Sequence, residues 1–110
     1  MKKVIRPWGN FKEFAKNKKC TVKILEVKPK QELSLQYHNK REELWYFLDD
    51  GTVELGNKKI KIKAGKIIKI PKKKPHRLIA DNKKLRVLEV SFGDFRENDE
   101  IRLEDKYGRK

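Results

Sequence analysis

The sequence predicts an all-β fold, either an antiparallel sandwich or a barrel. Short segments rich in β-branched and aromatic residues recur along the chain, with Gly or Pro between many of them. In several segments apolar and polar residues alternate with the period of two that is typical of a half-buried strand. No convincing amphipathic helix interrupts these segments. Many short strands separated by turn residues favour sheet-on-sheet packing.

Eight segments carry this strand signal. The first is followed by a turn that contains Pro29, the third runs into a turn at Gly51, and the sixth ends at Pro71. NFKEFAKNK (10–18) fits a short helix or an edge strand, and the residues from about Asn98 onward form a charged tail. The eight segments are TVKILEV (21–27), ELSLQYH (32–38), ELWYFLDDG (43–51), TVELG (52–56), KKIKIKAG (58–65), KIIKIP (66–71), HRLIA (76–80) and LRVLEVSFG (85–93).

The same periodicity predicts which apolar side chains lie in or near the core. These side chains recur at strand spacing. A closed barrel would hide sheet edges that a flat sheet fringed with lysine leaves open. We expect five residues in the apolar layers: Leu33, Leu35, Ile60, Ile62 and Ile67.

Length and composition restrict the class of protein. A chain of 110 residues accommodates one domain, which we place at residues 1–110. No run of about 18 apolar residues is present, so no membrane span is expected. The N-terminus lacks the apolar segment of a signal peptide. The single cysteine, Cys20, cannot form an internal disulfide and fits a reducing cytoplasm, where we expect a buried, unreactive thiol rather than a reactive one.

The formal net charge of +14 raises the question of a nucleic-acid partner. In NKKIKIKAGKIIKIPKKK (57–74) the lysines alternate with isoleucine and are not interleaved with aromatic residues. No helix-turn-helix, zinc-finger or RNP-like pattern occurs. Lysine-rich faces are also typical of solvated strands. We therefore do not expect nucleic-acid binding, whereas a small phosphorylated substrate would use the same positive field.

The stretch SLQYHNKREELW (34–45) contains His38, one of two histidines in the chain. Gln36 precedes it by two residues and Glu43 follows it by five. The strand period places Gln36 and His38 on the same face. Either His38 is a surface histidine in a polar turn, or this stretch is half of a metal site whose other half lies elsewhere in the chain.

The second histidine, His76, ends GKIIKIPKKKPH (65–76), in which Pro71 lies five residues before it. Together the two stretches resemble the two signature motifs of the cupin superfamily. The resemblance implies a jelly-roll barrel, or double-stranded β-helix, with Gln36, His38, Glu43 and His76 around one metal ion. Glutamine stands in place of the usual first histidine. Mixed nitrogen and oxygen ligands suit a divalent ion such as Zn, Mn, Fe, Co or Ni and do not choose among them.

A closer resemblance covers nearly the whole chain. IRPWGNF, LSLQYHNKREELW, IPKKKPHRL and RLEDKYGR occur here in the same order as in the C-terminal cupin domain of the type II phosphomannose isomerases. In that family a mannose-1-phosphate guanylyltransferase domain usually precedes the cupin, whereas this chain begins at the cupin, so we expect a stand-alone domain. Asn39, Lys40 and Leu44 occupy positions where that family often has histidine.

The resemblance implies a metal-dependent interconversion of mannose 6-phosphate and fructose 6-phosphate. It makes Arg109 the first candidate for an essential catalytic role and implies substrate contacts for a further set. That set consists of Arg6, Trp8, Arg41, Arg77 and Tyr107. Arginine suits a phosphate because its planar fork matches the oxygens. The general base is not assigned, and a homodimer is expected by the same resemblance.

Two other functions stay open at this point. One is a non-catalytic cupin that binds a sugar phosphate or a nucleotide-sugar, which the missing histidines around the first motif favour. The other is a different small-cupin enzyme, such as an epimerase or a metal-dependent oxygenase. The joint presence of RPWG (6–9) and YGR (107–109) argues against the second alternative.

Overall fold

The computed structural model describes residues 1–109 and confirms the all-β prediction. Within this range the chain forms strands joined by short turns, together with one 3-10 turn at Glu97–Asp99. No helix among these residues has the length and apolarity needed to cross a membrane. The strands are β1 Lys2–Arg6, β2 Gly9–Glu13, β3 Cys20–Val27, β4 Leu35–His38, β5 Glu42–Phe47, β6 Gly51–Leu55, β7 Lys58–Ile62, β8 Ile67–Ile70, β9 His76–Ile79, β10 Leu85–Phe92 and β11 Glu100–Glu104.

Two antiparallel sheets form the body of the molecule. One has four strands in the order β3-β10-β5-β8, and the other has five in the order β11-β4-β9-β6-β7. Large apolar side chains from both sheets are fully buried between them, with Trp45, Phe47 and Leu85 from the first sheet against Val53 and Leu78 from the second. The two sheets therefore share one core, as sandwich packing requires.

The predicted apolar layers are only partly correct. Ile62 is buried, and Leu33 packs against the core from a half-buried position. Leu35 and Ile67 are half-buried, but Ile60 is 40% exposed because β7 forms the outer edge of its sheet. The inward face of the five-stranded sheet is also not apolar throughout, because around β4 it is polar.

The inward face of β4 carries the polar half of its alternating pattern. Ser34, Gln36 and His38 are buried, whereas Leu33 and Leu35 are only half-buried. An alternating strand normally turns its apolar residues inward, so a polar inward face marks the point where the core gives way to a site.

Both ends of the chain form strands. The 10–18 segment contains β2, which pairs with β1 in a separate hairpin, so the edge-strand alternative holds and the short helix does not form. The prediction of a charged tail from Asn98 onward is wrong for residues 100–104, because these form β11 and pair with β4. Glu100 lies opposite His38 and Arg102 opposite Gln36, so this charged segment borders the polar face of β4.

Arg77 joins the strands of the five-stranded sheet through a cluster of carboxylates. Its guanidinium nitrogens lie 2.8 Å from Glu32 and from Glu104 and 3.1 Å from Glu54. Burial lowers the pKa of Arg77, and the three carboxylates raise it by more, so the guanidinium keeps its charge. A buried charge is tolerated only when it is paired in this way.

We predict that Arg77→Met lowers the free energy of unfolding by about 2 kcal/mol or more, because it leaves three carboxylates close together without their cation. Urea unfolding measures this loss. Arg86→Met is the matched control, since Arg86 also pairs with a carboxylate, that of Asp49, but at an exposed position where ion pairs contribute little. Equal losses in the two variants would contradict a structural role for the buried cluster.

Candidate metal centre

Three ligand-type side chains meet between the two sheets. His38 ends β4 and His76 begins β9 in the five-stranded sheet, while Glu43 comes from β5 in the four-stranded sheet. Nε2 of His38 and Nε2 of His76 lie 3.3 Å and 3.4 Å from Glu43 Oε1. One ligand atom from each residue lies within 4.8 Å of the other two, and all three residues are buried. The structure thus brings together the two halves of the pattern read from the sequence.

The two carboxylate oxygens of Glu43 have different surroundings. Ser91 Oγ donates a hydrogen bond to Oε2 at 2.9 Å, and Arg41 Nε lies 3.4 Å from the same oxygen. Oε1 faces the two imidazoles and accepts no well-aligned hydrogen bond. Burial raises the pKa of Glu43, but its contacts with His38 and His76 lower it by more, so the carboxylate is ionised. Oε1 is therefore the oxygen left for a cation.

A backbone contact fixes which nitrogen of His76 faces the site. His76 Nδ1 lies 2.7 Å from the carbonyl oxygen of Lys74. Because a carbonyl only accepts hydrogen bonds, Nδ1 carries a proton, and the ring turns Nε2 toward Glu43. The loop before His76 is anchored in turn, since the backbone N–H of Lys73 donates to the carbonyl of His38 at 2.6 Å.

Gln36 lines the same cavity, and its Cα is the register partner of His76. The surrounding polar atoms orient its amide so that the nitrogen donates to Glu100 Oε1 at 2.6 Å. This leaves the amide oxygen for a donor or a cation. Glu100 on β11 therefore decides which end of Gln36 a bound ion would meet.

The turn after His38 is held by Asp99. The backbone N–H groups of Asn39 and Lys40 donate to the two carboxylate oxygens of Asp99 at 3.1 Å and 3.0 Å. Both turn residues are exposed and lie outside the cavity, and Leu44 is buried in a strand beside Glu43, also outside the cavity lining. The positions where the resembled family often has histidine thus contribute no side chain to this cavity.

Four cationic side chains line the cavity, whose volume is about 190 Å³. Arg41 is buried, with its guanidinium stacked 4.2 Å from the centroid of Phe95 and NH2 3.3 Å from His38 Nε2. Arg109 binds Asp105 through Nε at 2.8 Å. Arg102 and Lys23 complete the set, and sequence analysis missed both of them. The same lining contains the carboxylates of Glu43, Glu89 and Glu100, so the cavity presents charges of both signs.

The other predicted substrate residues lie elsewhere. Arg6 and Trp8 are on the exposed β1–β2 hairpin, and Arg77 points into the carboxylate cluster. Tyr107 is exposed and donates from its hydroxyl to Gln31, beside a separate cavity that Arg109 also lines. Within residues 1–109 of a single chain, the structure therefore brings Arg41 and Arg109 to the site and leaves these four outside it.

Glu89 is a further carboxylate of the cavity that sequence analysis missed. Trp45 Nε1 donates to Glu89 Oε2 at 3.0 Å. Burial raises the pKa of Glu89 to about 7, and the nearby charge of Glu43 contributes to this shift. The signal was available in LRVLEVSF (85–92), where the strand period places Glu89 and Ser91 on the same face as buried Leu85 and Val87. Polar residues on an apolar strand face indicate a site.

The residues present fit a divalent metal ion. Two imidazole nitrogens, one ionised carboxylate oxygen without a hydrogen bond and a nearby amide oxygen form a mixed donor set. Three of these donors are oriented by a second contact, as metal ligands generally are: His76 by Lys74, Glu43 by Ser91 and Gln36 by Glu100. Within residues 1–109, Nδ1 of His38 is buried without a hydrogen-bond partner. Such a centre polarises a bound oxygen and stabilises negative charge that develops on it.

Comparison with known proteins identifies the family of this chain. The model of the family described as mannose-6-phosphate isomerase, C-terminal, matches residues 1–105. Xanthan biosynthesis protein XanB of Xanthomonas campestris is 37% identical over 98% of this chain and 24% of its own length. Mannose-1-phosphate guanylyltransferase 2 of Escherichia coli O157:H7 is 38% identical over 96% of this chain and 23% of its own length. The chain thus spans about a quarter of the length of these relatives.

Solved structures confirm the predicted fold type. A cupin protein from Bacteroides fragilis superposes with a TM-score of 0.62 over 70% of this chain and 70% of its own, at 18% identity. Since identity is this low, the likeness concerns the fold alone. It confirms the double-stranded β-helix predicted from the two motifs.

We predict that His76→Ala abolishes stoichiometric binding of a divalent metal, because it removes one of two imidazoles from the cluster. Metal content after dialysis, measured by mass spectrometry of the bound elements, checks this. Tyr37→Phe is a control on the neighbouring strand that leaves the donor set intact. Unchanged metal content in the folded His76→Ala protein would place the site elsewhere.

A second prediction concerns the attachment of Arg109. Its guanidinium hydrogen-bonds to Asp105 and lowers the pKa of that carboxyl to about 2. A depressed pKa stabilises the native arrangement above the ordinary Asp pKa of about 3.9, and this contribution is lost as the pH falls through about 2. NMR titration of the Asp105 carboxyl should show its pKa rising toward the ordinary value in Arg109→Ala. An identical pKa in both proteins would mean that the pair does not form in solution.

Proposed function

This chain belongs to the mannose-6-phosphate isomerase C-terminal family, and we propose that it is a metal-dependent isomerase that interconverts mannose 6-phosphate and fructose 6-phosphate. One observation carries the proposal: His38, Glu43 and His76 converge in a cavity that is also lined by cationic side chains. A divalent ion held by this cluster would stabilise negative charge on the oxygens of a sugar. The cations favour a phosphorylated sugar over a neutral one. We place the reaction in the cytoplasm, where the single Cys20 fits a reducing environment.

His38, Glu43, His76 and the amide oxygen of Gln36 would hold the ion. A divalent ion bound there supplies Lewis-acid stabilisation of negative charge on the sugar oxygens. Arg41 and Ser91 hold Glu43 Oε2, so the carboxylate keeps its orientation when Oε1 binds. The position of these four donors thus sets where the reacting end of the sugar would lie.

The reaction moves one proton between adjacent carbons of the open-chain sugar. A base removes the proton on C2 of the aldose, the electron pair of that C–H bond forms a C1–C2 double bond, and the former carbonyl oxygen O1 takes the negative charge. The proton is then delivered to C1, while the proton of the C2 hydroxyl passes to O1. Atoms and electrons balance without an oxidant or a reductant, and the product is the ketose.

Glu89 has the position that such a base requires. It lines the cavity, it is not one of the three clustered donors, and it lies next to Glu43, while Trp45 donates to its Oε2. A carboxylate coordinated to a cation is a poor base, so Glu43 does not fill this role. We therefore assign to Glu89 the acceptance of the proton from the substrate.

The phosphate fits at the cationic side of the cavity. The cavity has a volume of about 190 Å³, which is smaller than the roughly 300–1,000 Å³ of typical ligand pockets. We therefore place the reacting carbons of the sugar inside the cavity and its phosphate near the opening. Arg102 and Arg109 are the partly exposed arginines of the lining, and Lys23 adds a third cation. Arginine forks bind phosphate through two parallel hydrogen bonds.

We predict that Arg109→Ala lowers kcat/KM by about 100-fold or more, while metal content stays unchanged, because Arg109 acts on the substrate and not on the ion. The assay follows fructose 6-phosphate formed from mannose 6-phosphate by metal-loaded protein, against a reaction without protein. Lys61→Ala removes one positive charge on the exposed face of β7 and is the control for the general field. Equal effects of the two substitutions would contradict a specific role for Arg109.

Glu89→Gln provides a separate prediction on the base. We expect it to lower kcat by about 100-fold or more with KM and metal content little changed, since it removes proton acceptance and keeps the shape. Full activity of this variant would remove Glu89 from the mechanism. If wild-type protein binds mannose 6-phosphate tightly but forms no product, the isomerase proposal is wrong and a binding function takes its place.

A further inference from the structure

The guanidinium of Arg41 is a buried cation next to the donor cluster of His38, Glu43 and His76. The residue is only 4% exposed. Its Nε lies 3.4 Å from Glu43 Oε2, and its Nη2 lies 3.3 Å from His38 Nε2. Its Nη1 donates to the carbonyl oxygen of Arg96 at 3.2 Å. Two of the three clustered donors are therefore also partners of Arg41.

The contact with His38 uses the nitrogen that a metal ion would need. A guanidinium has five N–H donors and no acceptor, so its hydrogen bond to Nε2 takes the lone pair of that nitrogen. A metal ion binds an imidazole nitrogen through the same lone pair, at about 2.0–2.1 Å. Nε2 is also the ring nitrogen that faces Glu43, at 3.3 Å from Oε1. Arg41 and a metal ion bound to the cluster therefore exclude one another at His38 Nε2.

Charge adds to this competition. The positive charge of Arg41 lies beside one oxygen of Glu43, and the two imidazoles face the other oxygen. A divalent ion on that second oxygen would share one carboxylate with the guanidinium. Like charges repel strongly in a buried site, where the effective dielectric constant is low. Arg41 therefore opposes metal binding both through the lone pair of His38 and through its own charge.

Two observations indicate that the guanidinium can give up His38 without disrupting the cluster. Ser91 Oγ donates to Glu43 Oε2 at 2.9 Å, so this oxygen keeps a hydrogen bond that does not depend on Arg41. Arg41 also lines the cavity of about 190 Å³, so Nη2 has a space into which it can turn. Release of Nη2 from His38 therefore leaves the clustered donors in place.

We propose that Arg41 competes with the divalent ion for His38 Nε2 and thereby sets the affinity of the metal centre. The inference rests on the metal centre of the proposed function, but it does not depend on the isomerase reaction. Without an ion, Arg41 provides the positive charge that Glu43 needs and the donor that His38 Nε2 needs. A bound ion takes over both roles, and Nη2 then turns into the cavity. Because the buried charges are paired in either case, the chain folds without the ion.

Metal affinity tests the competition directly. Arg41→Met keeps an apolar stem in place of the side chain and removes both the charge and the donors. We expect its dissociation constant for Co²⁺, measured by calorimetric titration of metal-free protein, to fall at least tenfold below that of the wild type. The metal-free variant should also unfold at a lower urea concentration, because Glu43 loses its cation, and Co²⁺ should restore most of this loss. Removal of a residue with a purely structural role would instead weaken metal binding.

Arg109→Met is the matched control. Arg109 lines the same cavity and carries the same charge, but its ion pair is with Asp105, so we expect its removal to leave the affinity for Co²⁺ close to that of the wild type. Unchanged or weaker affinity in Arg41→Met, or equal gains in the two methionine variants, would overturn the proposal and leave the metal centre itself intact. Absence of Co²⁺ binding in both the wild type and Arg41→Met would overturn the metal centre together with this proposal.

A structural comparison of the wild-type protein keeps the test valid if Arg41→Met fails to fold. Crystals of the wild type grown with a chelator should keep Nη2 of Arg41 within hydrogen-bond distance of His38 Nε2, as here at 3.3 Å. With Co²⁺ bound, this distance should exceed about 3.5 Å, while Ser91 still donates to Glu43. An Nη2 that stays within hydrogen-bond distance of Nε2 in the Co²⁺-bound crystal would overturn the proposal. None of these readouts depends on isomerase activity.

Discussion

The buried carboxylate of Glu43 is the group on which the interior of this protein depends. An ionised carboxylate between two sheets is stable only if enough donors and positive charge surround it. Here Arg41 and Ser91 hold one oxygen, and the imidazoles of His38 and His76 face the other. These groups come from both sheets, so satisfying one charge requires both sheets to meet in a single register. The same requirement assembles the donor set.

The C-terminal strand acts as the outer support of this arrangement. Asp99 holds the turn after His38, Glu100 orients Gln36, and Arg102 and Arg109 line the cavity. The family match ends at residue 105 and therefore includes this strand. Removing this C-terminal segment would release both the turn after His38 and the side-chain amide of Gln36. The segment is therefore part of the site.

The sequence carried enough information for the fold and for most of the site, and the misses have physical causes. The period of two placed Gln36 and His38 on one face, because that signal is local. Their grouping with His76 came from the resemblance of the two stretches to the cupin motifs. Glu89 was missed although the strand period places it on the buried face of β10; the register adds its neighbour from another strand, Trp45. The strand at residues 100–104 was missed because its high charge resembles a solvated tail, although its partner strand β4 is itself polar on the inward face.

X-ray absorption of the protein loaded with one equivalent of Co²⁺ identifies the side chains that bind a divalent ion. We expect scattering from two imidazole nitrogens, with their characteristic ring scattering, and from carboxylate and amide oxygens at about 2.0–2.2 Å. Glu43→Gln should retain the imidazole scattering and lose affinity, because it keeps the shape of the site and removes its charge. A spectrum of wild-type protein with no imidazole scattering would show that the ion lies outside the cluster of His38, Glu43 and His76.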